Sequence, residues 1–180
     1  MKKRLLFILF NFVMFCLSGI AHAEMKISSD SIKNGNIGSE HACLEMGGGN
    51  KSPNISVSGL PSGTKSIAII IDDPDAKPIA GEIWVHWNVF NIPITSDNYS
   101  AAIGKNPNGI VGKQSLGGND YDGMCPPNGK HTYRFAVFAL KENVKAKTSG
   151  YSGIAYTIDR FQKDFANAIL EKVIITGDYK

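Results

Sequence analysis

The sequence carries little surplus charge. Its 19 Lys and Arg face 16 Asp and Glu, a formal +3, far too weak a balance to mark a nucleic-acid binder. There is no Gly-x-y period and only 8 Pro, which excludes collagen. No internal repeat and no low-complexity linker divides the 180 residues, a length that suits one domain at about 100–200 residues each. No His-x-x-x-His spacing supports a metal centre. No serine sits in an obvious nucleophile context, so a nucleophile–base pair is missing and an enzyme is not expected. Cysteine is scarce: three residues, an odd number for a secreted chain. What the sequence does have is 43% hydrophobic residues. That excludes a disordered chain and allows a core without help from a metal.

The N-terminus resolves two of these features. Met1-Lys2-Lys3-Arg4 is a positive segment, and Leu5 to Leu17 is apolar apart from Asn11. Ala21-His22-Ala23 supplies the small residues of a cleavage site. This order predicts a secretory signal peptide over residues 1–23, with one domain over residues 24–180. The apolar run falls short of the ~20 residues that span a bilayer, which disfavours an uncleaved anchor. Phe15 before Cys16 disfavours a lipoprotein. Cleavage after Ala23 removes Lys2, Lys3 and Arg4 and no acidic residue, leaving 16 basic and 16 acidic groups. It also removes Cys16 and leaves Cys43 and Cys125. In an oxidising compartment these two are a natural pair, with two free thiols as the alternative. A nucleophilic Cys125 needs a thiolate and a nearby base. The expected location is periplasmic or secreted.

Glycine and proline recur at short intervals, as in a chain of many short strands. Ile67-Ala68-Ile69-Ile70-Ile71 reads as a buried core strand that stops at Asp72-Asp73-Pro74-Asp75. Trp84 to Ile92 reads as a second strand, with Trp84, His86, Asn88 and Phe90 on one face and Val85, Trp87 and Val89 on the other. His131 to Leu140 reads as a third, with His131, Tyr133, Phe135 and Val137 on one face. Between them, Gly104 to Gly129 is a long connection with little strand signal, and such loops are usually functional or disordered. Thr157 is placed to cap a helix from Ile158 to about Leu170, with Ile158, Phe161, Phe165 and Ile169 as its apolar stripe. Val173 to Thr176 reads as a last strand. Mostly strand with one C-terminal helix predicts a β-sandwich.

Few titratable groups lie at strand ends. Asp73 and Asp75 end the first strand, His86 lies on the second, and His131 opens the third after Cys125-Pro126-Pro127-Asn128-Gly129. If these strands are neighbours, the groups converge on one rim, where binding sites tend to lie. Such a set favours an anion. Imidazoles offer N–H donors, and a carboxylate bonded to one fixes its tautomer. Gly117, Gly118 and Gly123 would let backbone N–H groups approach closely. Pro126 and Pro127 would stiffen the wall. Each residue also has a plain structural reading: a strand histidine is often a satisfied core group, and Asp-Pro-Asp is often a turn with Asx bonds.

Asp73-Pro74-Asp75-Ala76, Trp84-Val85-His86-Trp87 and Gly123-Met124-Cys125-Pro126-Pro127-Asn128-Gly129-Lys130-His131-Thr132-Tyr133 resemble the phosphatidylethanolamine-binding protein family, in its bacterial, Raf kinase inhibitor-like branch. Gly49-Asn50-Lys51-Ser52-Pro53 and the ending Gly177-Asp178-Tyr179 extend the resemblance over nearly all of residues 24–180. It implies a mainly β, Greek-key β-sandwich with a small anion pocket near the surface. It implies ligand-binding residues Asp73, His86 and His131, with Tyr133 and the Pro126-Pro127 loop as walls, beside the Gly123 that the residues themselves point to. Some secreted bacterial relatives carry cysteines at similar places, which supports a Cys43–Cys125 disulfide. The sequence departs from the family pattern where Lys77 precedes Pro78, and where Thr132 stands in place of a usual arginine.

The expected function is a binding protein for a phosphorylated small molecule or lipid head group. No cofactor, no metal and no nucleic-acid partner is expected. Two other readings stand beside it. One is a protein-interaction module or inhibitor of protease or kinase type, with a vestigial pocket. The other is a metal-dependent hydrolase using His86, His131 and Asp73, since two histidines and a carboxylate form open metal sites.

Overall fold

The computed structural model describes residues 24–148 and 153–180. The expected signal peptide and its cleavage after Ala23 lie outside the described residues. Ten strands follow in chain order: β1 (Lys26–Ser28), β2 (Ile32–Lys33), β3 (Asn36–Ile37), β4 (Ile55–Ser58), β5 (Ser66–Asp73), β6 (Trp84–Pro93), β7 (Tyr99–Ala101), β8 (Ile110–Val111), β9 (His131–Leu140) and β10 (Ile169–Tyr179). Two α-helices complete the set, α1 (Lys77–Ala80) and α2 (Ile158–Asp164).

The strands form two sheets. The smaller runs β1-β4-β7 and the larger β2-β3-β10-β9-β5-β6-β8. Pairing is antiparallel except between β10 and β3. The expected sandwich is therefore present, with β5 between β6 and β9 in the larger sheet. This position explains the unbroken apolar run in β5. Ile67, Ile69 and Ile71 enter the core between the sheets, beside Ile55 and Val57 of β4. Ala68 and Ile70 face the other way, toward α2. A strand buried on both faces has no polar side to alternate with.

The helix-covered face is aromatic. Phe161 of α2 stacks on Phe90 of β6 at 5.2 Å between ring centroids and lies 4.8 Å from Phe138 of β9. Burying one such ring contributes about 1.5–3 kcal/mol. The Thr157 hydroxyl accepts the Arg160 N–H at 3.1 Å, as a capping residue does. Fully buried Asp72 accepts two bonds from the Arg134 guanidinium, at 2.7 and 2.8 Å, and the Ile158 N–H at 2.9 Å. The first turn of α2 is thus tied to the sheet by a buried ion pair.

Three expectations change. The helix stops at Asp164 rather than near Leu170, and Ile169 and Leu170 belong to β10. Pairing of Ile169 with Leu140 satisfies backbone groups that a longer helix would take. The last strand accordingly runs Ile169–Tyr179, well beyond Val173 to Thr176. Finally, β6 does not alternate strictly. Ile71 faces Trp87 while Asp72 faces Val85, so His86 is an extra residue in a bulge. The bulge puts His86 against Tyr133 at 5.3 Å, whereas Phe90, expected on the same face, packs under α2. Bulges re-aim side chains in this way beside functional sites.

Candidate functional site

The site grows from the ends of β5, β6 and β9. At the end of β5 the Asp73 carboxylate does two jobs. Its Oδ1 accepts the N–H groups of Asp75 at 2.9 Å and Ala76 at 3.2 Å, which makes the Asx turn. Its Oδ2 lies 2.7 Å from Nδ1 of His131. A carboxylate accepts, so Nδ1–H donates and the ring is fixed in place. One carboxylate thus both makes the Asx turn and orients His131. Asp75 accepts the Thr132 N–H at 2.9 Å, and Thr132 donates its hydroxyl to Asp178 at 2.9 Å. Lys130 also pairs with Asp178. The residue that replaces the family arginine is therefore occupied at the edge of the sheet.

His86 is held by backbone. Its Nδ1 lies 2.8 Å from the Asp122 carbonyl, and the Asp122 N–H returns a bond to the His86 carbonyl at 2.8 Å. Because a carbonyl only accepts, Nδ1 carries the hydrogen. In the neutral ring Nε2 is then a bare acceptor, and it is buried without a partner. Burial pushes the His86 pKa below the ordinary histidine value, against the opposing pull of the Asp122 carbonyl and the nearby carboxylates. Trp84 donates its indole N–H to the Asp122 carboxylate at 2.9 Å.

These groups line a cavity of about 590 Å³. Asp73, His86, His131, Gly123 and Pro127 contribute to its surface. Tyr133 and Pro126 do not; both are buried behind it. The Tyr133 ring flanks His86 and His131, and burial raises its hydroxyl pKa. Gly117 and Gly118 do not contribute either. The Gly117 N–H is taken by Gln114, and the Gly118 carbonyl accepts the Gln114 N–H. Gly123 is needed for close approach: a Cβ there would lie 2.6 Å from Cys43 backbone atoms.

The second wall is the Cys43 segment. Cys43 and Cys125 form a disulfide and both border the cavity. The Cys43 N–H donates to Met124 at 3.1 Å and the Met124 N–H to His41 at 3.2 Å, so backbone pairing reinforces the bridge. The Tyr121 hydroxyl adds a 2.6 Å bond to the His41 carbonyl.

The sequence reading missed two properties of the lining. Leu44, Ile79 and Leu116 are 68%, 55% and 70% exposed and form an apolar part of the border. Single exposed apolar residues need no explanation, but three on the border of one cavity stand out. The lining also holds four carboxylates, Glu45, Asp73, Asp120 and Asp122, and no Lys or Arg. No spacing rule brings these positions together. The one group of metal-ligand type among the described residues is Cys43, Glu45 and Cys125, in which both sulfurs are already bonded.

A family model described as phosphatidylethanolamine-binding protein matches residues 27–180. The chain belongs to this family. The phosphatidylethanolamine-binding protein fold is a ligand-binding fold, and the family is not a known enzyme class. Among bacterial members, the UPF0098 protein YbcL of Escherichia coli K12 is 38% identical over 142 residues, 73% of this chain and 76% of its own length. A UPF0098 protein of Methanothermobacter thermautotrophicus is 41% identical over 110 residues, 59% of this chain and 69% of its own. The crystal structure of Escherichia coli YbcL, described as a new member of the mammalian family, superposes with a TM-score of 0.73 at 30% identity. That match covers 88% of this chain and 99% of YbcL.

Proposed function

We propose that this protein is a periplasmic or secreted binding protein whose pocket holds a phosphate-bearing small molecule or lipid head group. The observation that carries the reading is the anchoring of both histidines. Asp73 orients His131 and the Asp122 carbonyl orients His86, at the wall of one cavity. Imidazoles fixed by a second partner present their remaining nitrogen to a ligand in one orientation. No general base beside a nucleophile is found among the residues that line it, which favours binding over catalysis. The disulfide accords with export to an oxidising compartment. A mass spectrum of the protein isolated from cells tests that part: a chain beginning at Glu24 supports it and an intact residue 1–23 segment refutes it.

An NMR titration with phosphoethanolamine tests the pocket. His86 and His131 ring signals shift together if the reading holds; no shift at about millimolar ligand, a weak affinity of about −4 kcal/mol, sinks it. The apolar border of Leu44, Ile79 and Leu116 favours a second reading, a protein-interaction surface. A pull-down in which His86→Ala protein keeps every partner would favour that surface over the pocket.

A further inference from the structure

The pocket is an odd receptor for a fully ionised anion. Four carboxylates border it and no Lys or Arg does. His86 has spent its one neutral-form hydrogen on the Asp122 carbonyl. What remains is Nε2, buried and without a partner. A buried acceptor left open costs free energy until a donor reaches it. Sulfate and phosphodiesters have no proton to donate near neutral pH. A phosphate monoester does, since its second pKa is about 6.

We infer that the pocket takes phosphate as a singly protonated monoester, whose P–OH donates to Nε2 of His86, and so rejects sulfate and phosphodiesters. The inference rests on the anion-pocket reading above and narrows it by protonation state and ester class, keeping monoesters and excluding the diester head group of an intact phospholipid. No bond is made or broken; the proton stays between phosphate oxygen and imidazole. Lowering the ligand charge from two to one also eases its approach to Asp73, Asp120, Asp122 and Glu45. An ammonium on the same ligand would meet those carboxylates favourably.

The competing route is protonation of His86 itself, which would turn Nε2 into a donor for any anion. The groups that bear on it are the Asp72 and Asp73 carboxylates from β5, Asp122 from the facing loop, and Tyr133 and His131 from β9. The carboxylates favour the charged ring, but burial outweighs them and pushes the His86 pKa below the ordinary histidine value, which favours the neutral ring. A site whose buried polar atom needs a donor rejects analogues that lack one.

Calorimetry on the disulfide-bonded protein with three probes tests this. The probes are phosphoethanolamine, sulfate, and glycerophosphoethanolamine, which keeps the ammonium but is a diester. At about pH 6 we expect phosphoethanolamine to bind at least about tenfold tighter than either of the others. Between about pH 6 and about pH 8 its affinity falls about fiftyfold, following the protonated fraction of a monoester with second pKa about 6. In His86→Gln, whose amide both donates and accepts, the preference over sulfate shrinks toward unity. Sulfate or the diester binding within about threefold of phosphoethanolamine overturns the inference, since a missing donor costs far more. So does an affinity flat in pH, or an undiminished preference in a folded His86→Gln protein. Each of these leaves the anion pocket standing. No binding of any probe at about 10 mM overturns both the inference and the pocket.

Discussion

Asp72 and Asp73 are neighbours on β5, yet they serve opposite faces of one sheet. Asp72 turns toward α2 and meets a complete set of donors: two from Arg134 and one from Ile158. Asp73 turns toward the cavity and shares itself between a turn and His131. Beside it, His86 keeps a buried nitrogen with no partner. Both faces are well packed, so packing does not separate them. The difference lies in polar completion. The helix-covered face closes every hydrogen bond of its buried carboxylate, as a structural site does. The pocket face leaves Nε2 of His86 and the Tyr133 hydroxyl without partners, and such open groups are what a ligand can complete.

Four measurements break or sharpen this contrast. The largest effect belongs to the helix-covered face. Phe161→Ala empties the space between Phe90 and Phe138 and lowers unfolding free energy by about 3–5 kcal/mol in urea titrations, with the ligand response unchanged. Asp72→Ala follows, at about 3 kcal/mol, because it strands the partly buried Arg134 and the Ile158 N–H. Asp73→Asn reverses the balance. It costs about 1.5–3 kcal/mol of stability, the range of a hydrogen bond to a charged group, but it abolishes the phosphoethanolamine shift at His131. A stability loss equal to that of Asp72→Ala, with the shift intact, would erase the distinction between the faces.

The smallest effect is a slope. The folded pKa of His86 lies below its unfolded value of 6.5. The unfolded chain therefore binds the extra proton first. The stability held by neutral His86 is fully present above pH 6.5 and declines as pH falls below it, until the folded pKa is reached. In that window the protein loses about 1 kcal/mol per pH unit relative to His86→Gln. Parallel unfolding free energies for the two proteins from about pH 7 to about pH 5 would contradict a buried neutral imidazole.

Much of this was legible in the chain. The β-branched run at Ile67 to Ile71 is a buried strand because both of its faces are covered. His131 to Leu140 has the same bounds in sequence and structure. Thr157 caps its helix as its position indicates. The motifs around Asp73, His86 and His131 place all three at one cavity. Other features carry no local signal. The bulge at His86 is one extra residue against β5 and shows only in pairing. Ile169 fits a helical stripe and a strand equally well, and its partner Leu140 decides. Gly117 and Gly118 look like anion-binding glycines, but Gln114 engages their backbone.

The sequence by itself determined what each segment can do locally: its period of apolar residues, its caps and turns, and which residues can donate or accept. Those properties depend on neighbours a few residues away. Only the tertiary structure decided what meets what. It set the Asp122 carbonyl against Nδ1 of His86 and so left Nε2 open. It bordered the two histidines with four carboxylates and with Leu44, Ile79 and Leu116 from three separate segments. A backbone carbonyl has no side-chain code, and a pocket wall is assembled from residues that share no period. Their chemistry is therefore fixed only when the sheets close.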